Sequence, residues 1–254
     1  MKQVHILNGD ALKHQLKNTF DAEKIIMREC LIDGNRQGEN LLKFYANRAE
    51  FTAQYEGCTV AGYYQYAAPE IDKINTIALG SEIYCWFEDD LFCQANLWFV
   101  LNLLIKNGHQ SHIYLVRPNK ANRYNFNQMT EHELKLAFEN KQLLLSSQLT
   151  LLEKLWPLYQ QNNVNEMLVI AKKLSVALPF LLPAITAHQR RTPDESGLGY
   201  PQRQLLAIME ELNTKEFVAV FQCFSAREGI YSFGDLQVKQ MLEQLIKQKT
   251  DGAL

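Results

Sequence analysis

Over its first 120 or so residues the chain repeatedly switches its hydrophobic period, and few folds accommodate that. Four short β-rich runs, at residues 4–7, 24–30, 83–87 and 112–116, alternate with stretches of helical spacing at 11–17, 38–55, 59–77 and 90–106. A strand, a helix and a second strand make a crossover unit, because parallel neighbours cannot be joined by a tight hairpin. Runs such as IYCWF and HIYLV are apolar at nearly every position, as strands covered on both faces are. The pattern predicts an α/β fold, a small parallel sheet of about four strands with flanking helices. Asn8-Gly9-Asp10, Asp33-Gly34 and Pro118 supply the turn signals that end the strands.

Beyond Pro118 the strand signal almost disappears. Helical spacing runs through 130–139, 149–160, 165–175 and 183–189, and Thr130-Glu131-His132-Glu133 reads as a capping box. The polar stretch 190–197 is the best linker candidate. It opens a last unit that reads helix (201–212), helix (215–226), short strand (229–233) and helix (235–247), the outline of a winged-helix module. The expected organisation is an α/β domain at 1–120, a helical segment at 121–193 and a winged-helix-like unit at 194–254.

A chain of 254 residues buries well over half of its unfolded surface, so it needs no disulfide or metal staple. Its five cysteines are scattered and form no CxxC pair, which points to reduced thiols and a cytoplasmic protein. The longest apolar run, 91–105, is interrupted by Gln94, Asn96 and Asn102 and is too short to span a bilayer. A net charge of −2 gives no overall pull towards nucleic acid or anionic lipid. From 194 to 254 there are six basic and nine acidic residues, the wrong balance for a DNA reader. Nucleic acid and membrane are therefore not expected partners, and self-association is left open.

In an open parallel sheet, ligands bind outside the carboxyl ends of the strands. Those four ends carry Asn8, Gly9 and Asp10; then Arg28, Glu29 and Gly34; then Glu88, Asp89, Asp90 and Gln94; and finally Arg117, with Lys120 and Arg123 behind it. Each has a dull reading. Asp10 precedes a helix, where Asp is a common N-cap, and Asp89 and Asp90 precede another, where negative charge suits the positive end of the dipole. Arg28 and Arg117 can neutralise the acids in a purely structural network. The functional reading places Mg²⁺ on Asp10, Glu88 and Asp90, with a phosphate facing Gly9, a helix N-terminus and the basic residues after strand four. No GxGxxG or P-loop accompanies it. Cys93 as a nucleophile is disfavoured, since three nearby acids raise a thiol pKa. His5 reads as a core residue inside a strand, and no HxxxH pair marks a zinc hydrolase.

HILNGD, RECLIDG, WFEDDLFCQANLWFVL, GLGYPQRQLLAIMEEL and FGDLQV together resemble the bacterial domain-of-unknown-function family numbered eighteen-thirty-five, over essentially the whole chain. The resemblance implies no reaction. It implies that Gly9, Asp10, Arg28, Glu29, Gly34, Glu88, Asp90 and Gln94 matter as a set, and that other branches carry an acid where this chain has Cys93. The leading expectation is a phosphate-containing small molecule or nucleotide at the strand ends, with Mg²⁺. The rival is a non-catalytic regulatory or scaffolding protein acting through protein or DNA contacts of the terminal unit.

Overall fold

The computed structural model describes residues 1–250. Five strands form one mixed sheet: β1 (Gln3–Leu7), β2 (Glu23–Ile26), β3 (Glu82–Trp86), β4 (Ile113–Val116) and β5 (Gln142–Leu143). Their order is β2-β1-β3-β4-β5, with the first four parallel and β5 antiparallel to β4. The parallel sheet of four strands is as expected. The fifth strand, two residues long, is too short to leave a period in the sequence, yet it carries the sheet past residue 120. The sheet therefore draws strands from both sides of that expected boundary.

Between the strands lie α1 (Asp10–Gln15), α2 (Leu41–Thr52), α3 (Val60–Tyr66), α4 (Ala68–Asn75) and α5 (Leu91–Lys106). The single helix expected over 59–77 is two, broken at Ala67 ahead of Pro69. After β4 come a 3₁₀ turn at Phe126–Gln128 and α6 (Glu131–Glu139), whose Thr130–Glu133 capping box is present. The rest is α7 (Ser146–Leu152), α8 (Leu155–Gln160), α9 (Val164–Lys173), α10 (Leu181–Arg190), α11 (Tyr200–Glu211), α12 (Phe217–Arg227) and α13 (Asp235–Thr250).

Strand residues alternate between two cores. Val4, Ile6, Ile83, Cys85, Ile113 and Leu115 face the larger one, while Leu7, Tyr84, Trp86 and Val116 face a smaller one closed by α1, Phe126 and α6. The larger core runs without a break from Val4 to Leu245, so the three expected segments share one interior. Its centre is α5, buried on every side, as a helix apolar all round must be. His5 is fully buried and accepts a bond from Trp86 Nε1 at 3.0 Å; burial pushes its pKa down to about 4, so it is a neutral core residue.

The expected ribbon at 229–233 does not form. Its backbone groups are spent on local turns (Tyr231 N to Glu228 O, Ser232 N to Gly229 O) and on Leu91 N, which donates to Ile230 O at 2.8 Å. The terminal unit is therefore three helices joined by turns, docked on the start of α5.

Candidate active site at the β1/β3 crevice

The strand order reverses between β1 and β3, one of the two common doubly wound arrangements, and the crevice above that point is where such sheets bind ligands. Asn8 leaves β1 there and Glu88 leaves β3. Gly9 takes φ +101°, and a Cβ at that position would meet nothing within 4 Å, so glycine is required by the backbone and the space above it is open. Helix α1 has only six residues, so it supplies no dipole site for an anion. Gly9 rather than Asp10 is its N-cap.

Beneath Asn8, the ligand atoms of Glu88, Asp90 and Cys93 lie within 4.8 Å of one another, and all three residues are buried. Asp90 caps α5 through Oδ1, which accepts from Cys93 N at 2.9 Å. Cys93 Sγ donates to Glu88 Oε2 at 3.1 Å and accepts from Asn8 Nδ2 at 2.8 Å. Glu88 Oε1 accepts from Phe126 N at 3.3 Å. Gln94 Nε2 donates to Glu88 O at 2.8 Å. Two buried acceptors, Asp90 Oδ2 and Gln94 Oε1, have no hydrogen-bond partner among the described residues. Burial, then Glu88, pushes the Asp90 pKa up to about 7; burial also raises Glu88, and burial followed by the two carboxylates raises Cys93 well above an ordinary thiol. A protonated, buried Cys93 is no nucleophile, as its acidic neighbourhood implied.

The remaining candidates divide sharply. Arg28 grips Asp10 with two bonds of 2.6 and 2.7 Å and donates to Tyr66 O. The metal set expected from sequence is thus not the one the fold assembles: Asp10 is held away by Arg28, below its ordinary pKa, and Cys93 stands in the third position. Arg117 grips Asp89 at 2.7 and 2.5 Å and stacks 4.2 Å from the Phe180 ring. Both arginines do neutralise acids, but the wrong ones to relieve Glu88 and Asp90. Glu29 is buried against Arg48 at 2.9 Å and accepts from Tyr63 Oη at 2.6 Å, a structural network off the crevice. Gly34 lines a different cavity, with Phe51 at its back.

Sequence reasoning missed Asn96. Its Nδ2 bridges Asn8 Oδ1 and Glu29 O at 2.9 and 2.7 Å, and its Oδ1 accepts from Leu31 N, tying β1 and the loop after β2 to α5. The signal was there: a polar residue one turn beyond Cys93 in the most apolar helix of the chain. Next to the crevice, the loop carrying Asn125 and Phe126 forms one wall of a cleft of about 560 Å³, closed on the other side by residues 224–233. Lys120 and Arg123 line it, and among the described residues neither has a carboxylate partner.

No family model matches the chain, and no curated protein matches it either. No helix among the described residues is long and apolar enough to cross a membrane.

Proposed function

We propose that this chain binds a phosphate-containing small molecule or nucleotide at the β1/β3 crevice, with a divalent cation, Mg²⁺ in the first instance, held by Glu88 and Asp90. The observation that carries this is the buried carboxylate pair, with Asp90 Oδ2 unbonded and no basic side chain bonded to either acid among the described residues. Two carboxylates out of water repel one another, and an acceptor without a donor forfeits its hydration; a cation between them relieves both. Mg²⁺ is bound through one or two carboxylates, with waters or phosphate oxygens completing its shell. Cys93 is then a hydrogen-bond partner of Glu88 and no ligand, since Mg²⁺ prefers oxygen. The unpaired Lys120 and Arg123 in the neighbouring cleft, and the open backbone at Gly9, suit the phosphate.

Thermal unfolding with Mg²⁺, Mn²⁺ and Zn²⁺, each alone and with ATP or a sugar phosphate, tests it. At about 100 times its Kd a ligand stabilises by about 2.7 kcal/mol, roughly 5–10 °C for a chain of this size. The expected shift requires metal and phosphate compound together and disappears in Glu88→Gln and Asp90→Asn; asparagine keeps the α5 cap, so its loss is specific. No shift, or equal shifts in both variants, refutes the proposal. A response to Zn²⁺ alone refutes the Mg²⁺ assignment.

A further inference from the structure

The loop after β2 that carries Asp33 and Gly34 builds something other than the crevice. Gly34 sits at φ +78°, and a Cβ there would lie 2.3 Å from the Phe51 ring, so this turn exists to let Phe51 pack against bare backbone. Asp33 bridges Arg191 at the end of α10 and Gln237 on α13. Between these three parts of the chain lies a cavity of about 440 Å³, within the usual range for small-molecule sites.

Its polar lining is largely uncommitted. His188 is 6% exposed, yet among the described residues neither ring nitrogen has a hydrogen-bond partner. A neutral imidazole offers one donor and one acceptor, and leaving both unmet in the interior is costly. Arg36 stacks 4.2 Å from the Tyr159 ring and reaches Ile32 O at 3.5 Å; no carboxylate among the described residues pairs with it. Arg191 is already matched by Asp33, so the cavity holds one surplus positive charge. The amides of Gln202, Gln240 and Gln244 on its walls make no hydrogen bond with the described residues. One guanidinium has no carboxylate partner, and a buried ring has no hydrogen bond at either nitrogen, among the described residues.

We propose that this cavity is a second ligand site, distinct from the β1/β3 crevice, which takes a compact oxyanion, carboxylate or phosphate, on Arg36 with His188 and the glutamine amides completing its hydrogen bonds. Because its walls come from the β2 loop, the helical middle and the terminal helices, the anion ties the terminal unit to the sheet.

Calorimetric titration of the full chain with inorganic phosphate, succinate and citrate, and with glucose as an uncharged comparison, tests this. Saturable binding of an anion but not of glucose is expected; phosphate alone or the carboxylates alone identifies the oxyanion. A hydrogen bond to a charged partner is worth about 1.5–3 kcal/mol, so Arg36→Met should weaken binding by roughly 10–100-fold. Gln240→Leu, a change at an exposed position, should weaken it severalfold and guards against a misfolded Arg36 variant. The His188 ring resonances should move on binding, and Asp90→Asn should bind like the wild type. Absence of binding by every anion, an Arg36→Met affinity within twofold of wild type, or a shift abolished by Asp90→Asn overturns the proposal.

Discussion

Arg48→Met tests whether Glu29 is structural. Both side chains are fully buried. The guanidinium donates to Glu29 at 2.9, 3.0 and 3.2 Å, and to the carbonyls of Asp33 at 2.7 Å, Cys30 at 3.1 Å and Asn35 at 3.3 Å. It therefore holds a loop that has no ladder of its own. Methionine fills much of the volume but leaves a carboxylate uncompensated in the interior, with only Tyr63 Oη and Cys30 N as donors. Breaking a buried pair from one side costs about 3–5 kcal/mol, a large share of a domain's total of roughly 5–15 kcal/mol. That corresponds to a fall in Tm of roughly 6–20 °C at about 2–4 °C per kcal/mol. Urea unfolding should show this loss for Arg48→Met and a partial recovery in Glu29→Gln/Arg48→Met, where no charge is stranded. Metal and phosphate binding should survive in the double variant. A loss under about 1 kcal/mol for Arg48→Met would refute the buried-pair argument, and a stable Glu29→Gln that no longer binds ligand would return Glu29 to the site.

His188 is held down to about 3, by burial first and then by Arg191 and Arg36, so in the folded chain it stays neutral where the unfolded chain takes up a proton near 6.5. Stability tied to it is complete above pH 6.5 and lost as pH falls; by pH 5 the loss is about 2 kcal/mol, which should appear as the difference in urea midpoints between wild type and His188→Phe across pH 8 to 5, and parallel profiles would refute it. Gly34→Ala should destabilise by roughly 2–4 kcal/mol, combining left-handed strain with the Phe51 clash, whereas Gly9→Ala meets open space and should show strain alone, about 1–3 kcal/mol; calorimetric melts of the two, with Gly9→Ala the worse, would contradict the geometry. Exposed Cys58 should react with a thiol reagent in the native state while buried Cys93 reacts only on unfolding, and mass spectrometry showing early Cys93 modification would overturn the protonated, enclosed thiol described above.

The parallel core of the sheet was legible because each strand carries a short apolar run followed by a turn signal. Helix α5 was legible because its composition leaves no polar face. Two elements were not. β5 is two residues long, and residues 229–233 have a strand-like composition whose backbone is consumed by local turns and by α5. Composition reports what a segment prefers when its hydrogen bonds are free to form a ladder; it does not report that they are already taken.

The candidate site divides in the same way. The strand ends and Gly9 follow from local chemistry, so residue types alone determined that polar groups gather at the carboxyl edge of the sheet. Pairing did not follow. Asp10, Asp89, Glu88 and Asp90 look alike in sequence, and only their positions relative to Arg28, Arg117 and Cys93 separate two arginine-paired carboxylates, one exposed and one buried, from a buried pair with an orphaned oxygen. Local structure depends on neighbours a few residues away, which the chain states directly. Charge compensation depends on partners 18 to 28 residues apart, and on burial, which arise only when the sheet and its helices close around them.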